Sequence, residues 1–156
     1  MIKLIAIGKT KETYFNEAIA VYIKRLSFYI KFEFLILPDI KNAANMSHDI
    51  LKAKEAELFL RNIKNDDTVI LLDDKGKNFS SLEWSKHLEQ KISSDSKDIV
   101  FIIGGAFGFD DSLYQRANEK LSLSKFTFSH QMVRLIFVEQ LYRAFTIIKG
   151  EKYHHE

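Results

Sequence analysis

The chain has 156 residues, 46% of them hydrophobic and 28% charged, with a formal net charge of +2 and no cysteine. This length fits one folding unit, and the lack of cysteine excludes disulfides, thiolate catalysis and Cys-ligated zinc. The nearly balanced charge gives no overall attraction to nucleic acid, so any RNA contact needs local or partner-supplied positive charge. One Pro and six Gly leave little room for linkers, and no apolar run approaches the roughly 20 residues of a bilayer span. Met1-Ile2-Lys3-Leu4 opens as a strand pattern and lacks a signal-peptide layout, which predicts a cytoplasmic protein.

Strand-like and helix-like segments alternate along the chain. Ile2–Ile7 is apolar and β-prone, and Phe15, Ala18, Ile19, Tyr22 and Leu26 then recur at helical spacing. Phe32–Leu37 reads as a second strand, stopped by Pro38-Asp39. Ser47 is placed to cap a helix whose buried stripe is Ala53, Ala56, Phe59, Leu60 and Ile63. Thr68–Leu72 is a third strand, and Asp73-Asp74-Lys75-Gly76-Lys77 reads as a turn. Ser80 and Glu83 have capping-box spacing before a helix carrying Trp84, Leu88 and Ile92 on one face. Ile99–Ile103 is apolar throughout, the pattern of a strand buried on both faces. Asp110 or Asp111 caps a short helix to about Asn118, Leu121–Ser124 is a short fifth strand, and a last helix runs from about His130 to Lys149 with Gly150 as its C-cap. The alternation predicts an α/β fold with a mainly parallel sheet flanked by helices. No repeat or composition break divides residues 1–156, so a single domain is expected.

The last helix is unusually apolar. With Arg134 taken as the reference direction, Glu139, Gln140, Arg143 and Thr146 gather on the far side, and nearly everything else is hydrophobic. Such a helix needs cover over most of its circumference, which predicts a homodimer through it; the alternative is a helix sandwiched within its own chain. Arg134 projects from the apolar side, where a guanidinium requires partners. An internal salt bridge and a functional arginine reaching toward substrate or RNA phosphate both satisfy that requirement.

Gly104-Gly105-Ala106-Phe107-Gly108 follows the buried strand, where ligands bind in open parallel sheets. The spacing is GGxxG and lacks the GxGxxG of dinucleotide sites, and no GxxxxGK[ST] exists. Asp110 and Asp111 already supply carboxylates to the next helix N-terminus, which disfavours a phosphate ligand and favours a neutral or cationic one. The same features argue against a flavodoxin-like nucleotide enzyme.

Several motifs occur together: Lys3-Leu4-Ile5-Ala6-Ile7-Gly8-Lys9, Val69-Ile70-Leu71-Leu72-Asp73, Phe101-Ile102-Ile103-Gly104-Gly105-Ala106-Phe107-Gly108, Leu121 to Arg134, Glu139-Gln140-Leu141-Tyr142-Arg143-Ala144 and Tyr153-His154-His155. In this combination and order the chain resembles the RlmH family of SPOUT-class methyltransferases over essentially its whole length. The resemblance implies a SPOUT-type fold with a C-terminal trefoil knot, and a homodimer. It implies S-adenosylmethionine as methyl donor and N3 of a pseudouridine in helix 69 of 23S ribosomal RNA as acceptor, in assembled ribosomes. It also implies a cofactor site at Leu72, Gly104 and Leu123-Ser124-Lys125-Phe126-Thr127-Phe128. Two positions depart from the family pattern: Ser129 replaces a proline before the last helix, and His155 replaces a basic residue after Tyr-His. Serine suits an N-cap, so the helix start is expected to survive; His155 is not reliably charged at neutral pH.

For the chemistry, N3 of a uracil ring must lose a proton, and His130, His154 and Glu139 are candidate bases. His130, Arg134, Tyr153 and His154 form the expected catalytic set, with the tail ordering over the target base. His130 is equally readable as a structural first-turn residue, and Glu139 with Arg143 as a surface pair. Lys9, Lys11, Arg134, Arg143 and Lys149 are candidate RNA contacts. His48 and His87 read as surface residues, and the histidine spacing predicts no metal site. A non-catalytic ribosome-binding module with the same fold is the competing expectation.

Overall fold

The computed structural model describes residues 1–94 and 97–155. Five strands, β1 (Ile2–Ile7), β2 (Phe32–Leu37), β3 (Thr68–Asn78), β4 (Ile99–Ile103) and β5 (Glu119–Ser122), form one parallel sheet in the order β2-β1-β4-β3-β5. The helices are α1 (Thr13–Leu26), α2 (His48–Arg61), α3 (Ser81–Ser94), α4 (Asp111–Arg116) and α5 (His130–Ile148), with a short 3-10 turn at Ala43–Asn45. This is the α/β architecture expected from the alternation.

The uniform hydrophobicity of β4 has a direct cause. Ile99, Phe101 and Ile103 face a core shared with α1, α3 and α5, while Val100 and Ile102 face a second core shared with α2 and α4. Each fully buried Leu, Ile or Phe side chain in these layers contributes about 1.5–3 kcal/mol. Local signals also hold at the helix starts. Ser47 Oγ accepts from the Ile50 N–H, Ser80 and Glu83 form a reciprocal capping box, and the Asp110 carboxylate accepts from the Ser112 N–H. Ser129 Oγ accepts from the Met132 N–H, so α5 starts normally without the proline. Gly150 adopts φ 68° just past its end.

Four expectations fail. Ala53 is exposed, and the buried residues of α2 are Glu55, Ala56 and Phe59. Asp73–Lys77 is no free turn: β3 continues through it to Asn78, with a register shift in which Leu121 of β5 pairs with both Leu72 and Lys77. Gly76 makes this possible, because a Cβ there would lie 2.6 Å from the backbone of Lys120 and Leu121. β5 lies two residues earlier than expected, since Glu119 already pairs with Ile70 and the chain turns at Ser122, whose hydroxyl donates to Ser124 O. Finally, α5 has more cover from its own chain than its apolarity implied. α1 and α3 flank it, Phe137, Val138, Leu141, Ala144 and Phe145 are buried, and Thr146, expected on the polar side, is fully buried. No described helix is long and apolar enough to cross a membrane.

Candidate active site

The carboxyl ends of β1, β4 and β3 open onto a groove made of three adjoining lobes, walled in part by loop 121–128 and the first turns of α5. Its first lobe, about 180 Å³, lies between Leu72-Asp73-Asp74 and Leu121–Ser124, Phe126, Thr127 and Phe128, over Val133. The β3 irregularity and loop 123–128 are therefore two walls of one pocket. The loop is internally braced: Ser124 Oγ accepts from the Phe126 N–H at 3.0 Å, and Asn78 Nδ2 donates to Ser122 O at 2.9 Å.

A central lobe of about 540 Å³ continues from Leu72–Asp74 over Gly104–Phe107 to His130. Its anionic wall is Asp73. Although burial opposes the charge, the Tyr114 hydroxyl at 2.5 Å and the Lys75 N–H at 2.8 Å hold its carboxyl below the usual range. Tyr114 itself is raised, by burial and then by its bond to Asp73. Of the two anticipated positions, Asp110 caps α4, so a carboxylate already occupies that helix N-terminus.

A third lobe of about 410 Å³ shares Gly104–Phe107 and His130 with the central one and extends to Lys9, Lys11, Asp39, Glu55 and Arg134. Arg134 is 3% exposed and donates to Thr10 Oγ1 at 2.9 Å and Ile7 O at 2.8 Å. No described carboxylate pairs with it, and its Nε is buried without a partner, so an internal salt bridge is not its role. Burial holds its pKa below the ordinary guanidinium value, opposed by the nearby Asp39. The His130 pKa is lowered first by partial burial and then by Arg134, which keeps the imidazole neutral near pH 7. Gln131 Oε1 accepts from the Lys11 N–H at 2.8 Å and ties the β1–α1 loop to the start of α5.

The structure thus gathers Leu72, Gly104, Leu123, Ser124, Phe126, Thr127, Phe128, His130 and Arg134 on one groove. Lys125 belongs to the loop but is exposed and does not line it. Tyr153 and His154 are elsewhere. The Tyr153 hydroxyl donates to Glu139 Oε1 at 3.2 Å, and His154 Nδ1 lies 3.2 Å from an Arg143 nitrogen. Arg143 also binds Glu139 through two nitrogens, at 3.0 and 2.6 Å, and stacks on the Tyr153 ring. Glu139, so engaged, is poorly suited as a base. Thirteen residues separate Arg143 from His130, about 20 Å along the helix, so one chain does not unite the expected catalytic set.

Sequence reasoning missed Asp73, Asp74 and Glu55 as groove residues. An acidic pair directly after a parallel strand was the available signal for the first two; nothing local marked Glu55. Of the two unassigned histidines, His48 is on the surface as expected and stacks there on Phe107, with ring centroids 3.6 Å apart. His87 is half-buried: it bonds Glu119 at 2.8 Å and stacks on Phe79. Among the described residues no group of three or more His, Cys, Asp or Glu could hold a metal.

Comparison with known proteins identifies the family. A profile of the family described as "Predicted SPOUT methyltransferase" matches residues 1–154. The ribosomal RNA large subunit methyltransferase H of Parabacteroides distasonis is 53% identical over 155 residues, covering 99% of both chains. The proteins of that name from Flavobacterium johnsoniae and Flavobacterium psychrophilum are 54% and 55% identical, again over 99% of each chain. The chain therefore belongs to the SPOUT methyltransferase family, within its RlmH group.

Proposed function

We propose that this protein is a large-subunit ribosomal RNA methyltransferase. It takes a methyl group from S-adenosylmethionine and places it on N3 of a pseudouridine in helix 69 of 23S ribosomal RNA, in assembled ribosomes. It works in the cytoplasm as a homodimer of single-domain chains. The observation that carries this reading is the groove itself: an apolar pocket between Leu72 and loop 123–128 adjoins a central pocket across Leu72–Asp74 and Val133, and that pocket adjoins, across Gly104–Phe107 and His130, the polar lobe holding Arg134.

The residues present fit the cofactor. Apolar walls with backbone polar groups in loop 121–128 suit an adenine. The ionised Asp73 suits the positive charge of a sulfonium, and no phosphate-binding device is required. When bound, S-adenosylmethionine supplies an electrophilic methyl group. Leu72, Gly104, Leu123, Ser124, Phe126, Thr127 and Phe128 would hold it, with Lys125 at the rim. Loop 123–128 and the glycine loop exclude water, and Arg134 and neutral His130 orient the target ring from the opposite wall. Lys9, Lys11 and Lys149 offer local charge for the RNA backbone.

The dimer follows from α5. Its outward side carries Met132, Ile136 and Ile147 around the Glu139–Arg143 pair, a stripe that its own chain covers only in part. A second α5 on that stripe would bring Tyr153 and His154 of one chain toward the groove of the other, completing the catalytic set. The trefoil knot belongs to the same reading and is supported by the close packing of residues 72–74 against 121–128. Calorimetric titration with S-adenosylmethionine tests the assignment. Saturable one-to-one binding that is lost on shortening loop 123–128 is expected; no binding would favour a non-catalytic ribosome-binding module.

A further inference from the structure

Glu55 has no role in the account above, yet its surroundings are unusual. It lies in the middle of α2, only 7% exposed, and among the described residues no hydrogen bond or ion pair engages its carboxyl. Burying a carboxyl without partners is unfavourable, and Glu55 avoids full burial by lining the polar lobe. The backbone makes room for it. Its carboxyl lies against Gly105, where a Cβ would come within 2.8 Å of Oε1 and closer still to Oε2. The group borders the lobe that contains His130 and Arg134, at the point where that lobe meets the cofactor side through Gly104–Phe107.

Methyl transfer needs the acceptor atom and the methyl carbon about 3–3.5 Å apart and in line. Gly104–Phe107 and His130 line both lobes, so an acceptor in the polar lobe would approach the cofactor side past Gly105 and His130. Among the described residues, Asp39, Glu55 and His130 line the polar lobe with groups that could take a proton; Asp39 lies against Gly8, at the end of β1. His130 is made less basic by burial and by Arg134. The Glu55 carboxyl lies directly against Gly105, and burial and then Asp39 push it up from its ordinary value, which makes it a stronger base than an ordinary carboxylate.

We propose that Glu55 is the catalytic base that removes the N3 proton of the uracil-type ring; this rests on the methyl-transfer reading above. The N3 proton passes to the Glu55 carboxylate, and the nitrogen lone pair forms the new bond to the methyl carbon. The carbon–sulfur bond breaks with its electron pair going to sulfur, so a sulfonium becomes a neutral thioether. The products are an N3-methylated ring, the thioether and a neutral carboxylic acid, which returns its proton to water.

The test compares the wild-type protein with Glu55→Gln and Glu55→Asp in single-turnover methylation of unmodified ribosomes between about pH 6 and 9. Glu55→Gln should slow transfer at least about 100-fold and remove the plateau of the pH profile, with cofactor affinity by titration changed less than about twofold. Glu55→Asp should recover part of the rate. Melting curves give a readout independent of turnover. The folded-state pKa lies above the unfolded one, so the folded state binds more protons, and wild-type stability falls as pH rises through the folded value; Glu55→Gln should not show that fall. A Gln variant within about threefold of the wild-type rate would overturn the proposal. So would a Gln variant whose affinity drops about tenfold and whose rate recovers at saturating cofactor, because Glu55 would then hold the cofactor's ammonium group. Failure of the wild-type protein itself to methylate N3 is a different outcome, and it would overturn the parent reading.

Discussion

The two ends of α5 treat polar groups in opposite ways. Near its start, His130 and Arg134 face an open groove, and a buried Arg134 nitrogen has no partner. Farther along, Glu139 and Arg143 close on each other and on Tyr153 and His154. In a folded chain buried polar groups are nearly always satisfied. Glu139 and Arg143 meet that rule within their own chain and hold the tail in place, so this is the saturated side. Arg134 and Glu55 leave bonding capacity toward the groove, where the proposed reaction would use it, and the tail residues would join them only from a second chain.

The largest expected effect breaks the contrast from its saturated side. Tyr153→Ala with His154→Ala should lower ribosome methylation about 100-fold or more and leave cofactor affinity nearly unchanged in titration, because the tail is far from the cofactor lobe of its own chain. Unchanged methylation would show that the cluster is purely structural. Next, Arg134→Met should reduce single-turnover methylation about 10- to 100-fold while stability in denaturant changes by about 1 kcal/mol or less, since relief of an unpaired buried guanidinium offsets loss of the bonds to Thr10 Oγ1 and Ile7 O. Glu139→Gln should do the reverse, lowering stability by about 1 kcal/mol through loss of a charge-assisted bond. Gly76→Ala tests the groove's far wall. A Cβ against Lys120 and Leu121 should lower stability by about 1–3 kcal/mol and weaken cofactor binding measurably. The smallest effect is His130→Asn. The folded-state pKa of His130 lies below its unfolded one, so the unfolded state binds more protons and wild-type stability falls as pH drops through the unfolded value. The variant should lose part of that acid sensitivity in melting curves.

What the sequence made legible follows the range of the interactions. The caps at Ser47, Ser80, Asp110 and Ser129 are contacts between near neighbours, and all were readable. So was the burial of β4 on both faces, because it shows as a run of five apolar residues. The β3 irregularity was not, because Asp73–Lys77 is held in the sheet by β5, more than 40 residues away, through the Gly76 contact. Arg134 was flagged as buried, but its partners Thr10 and Ile7 lie over 120 residues distant and could not be named. Glu55 was hidden for another reason: periodicity ranks residues by apolarity, so an acid on the buried side of α2 is read as facing water. The proposed cofactor and RNA target came only from the family resemblance, and the lining of the groove is compatible with the proposed methyl donor.

The central claim is tested most directly by incubating the protein with labelled S-adenosylmethionine and purified ribosomes that lack the modification, then digesting the RNA to nucleosides. The account predicts one labelled product, N3-methylated pseudouridine from helix 69 of 23S ribosomal RNA. Absence of label in ribosomal RNA, or label in a different RNA, would contradict it.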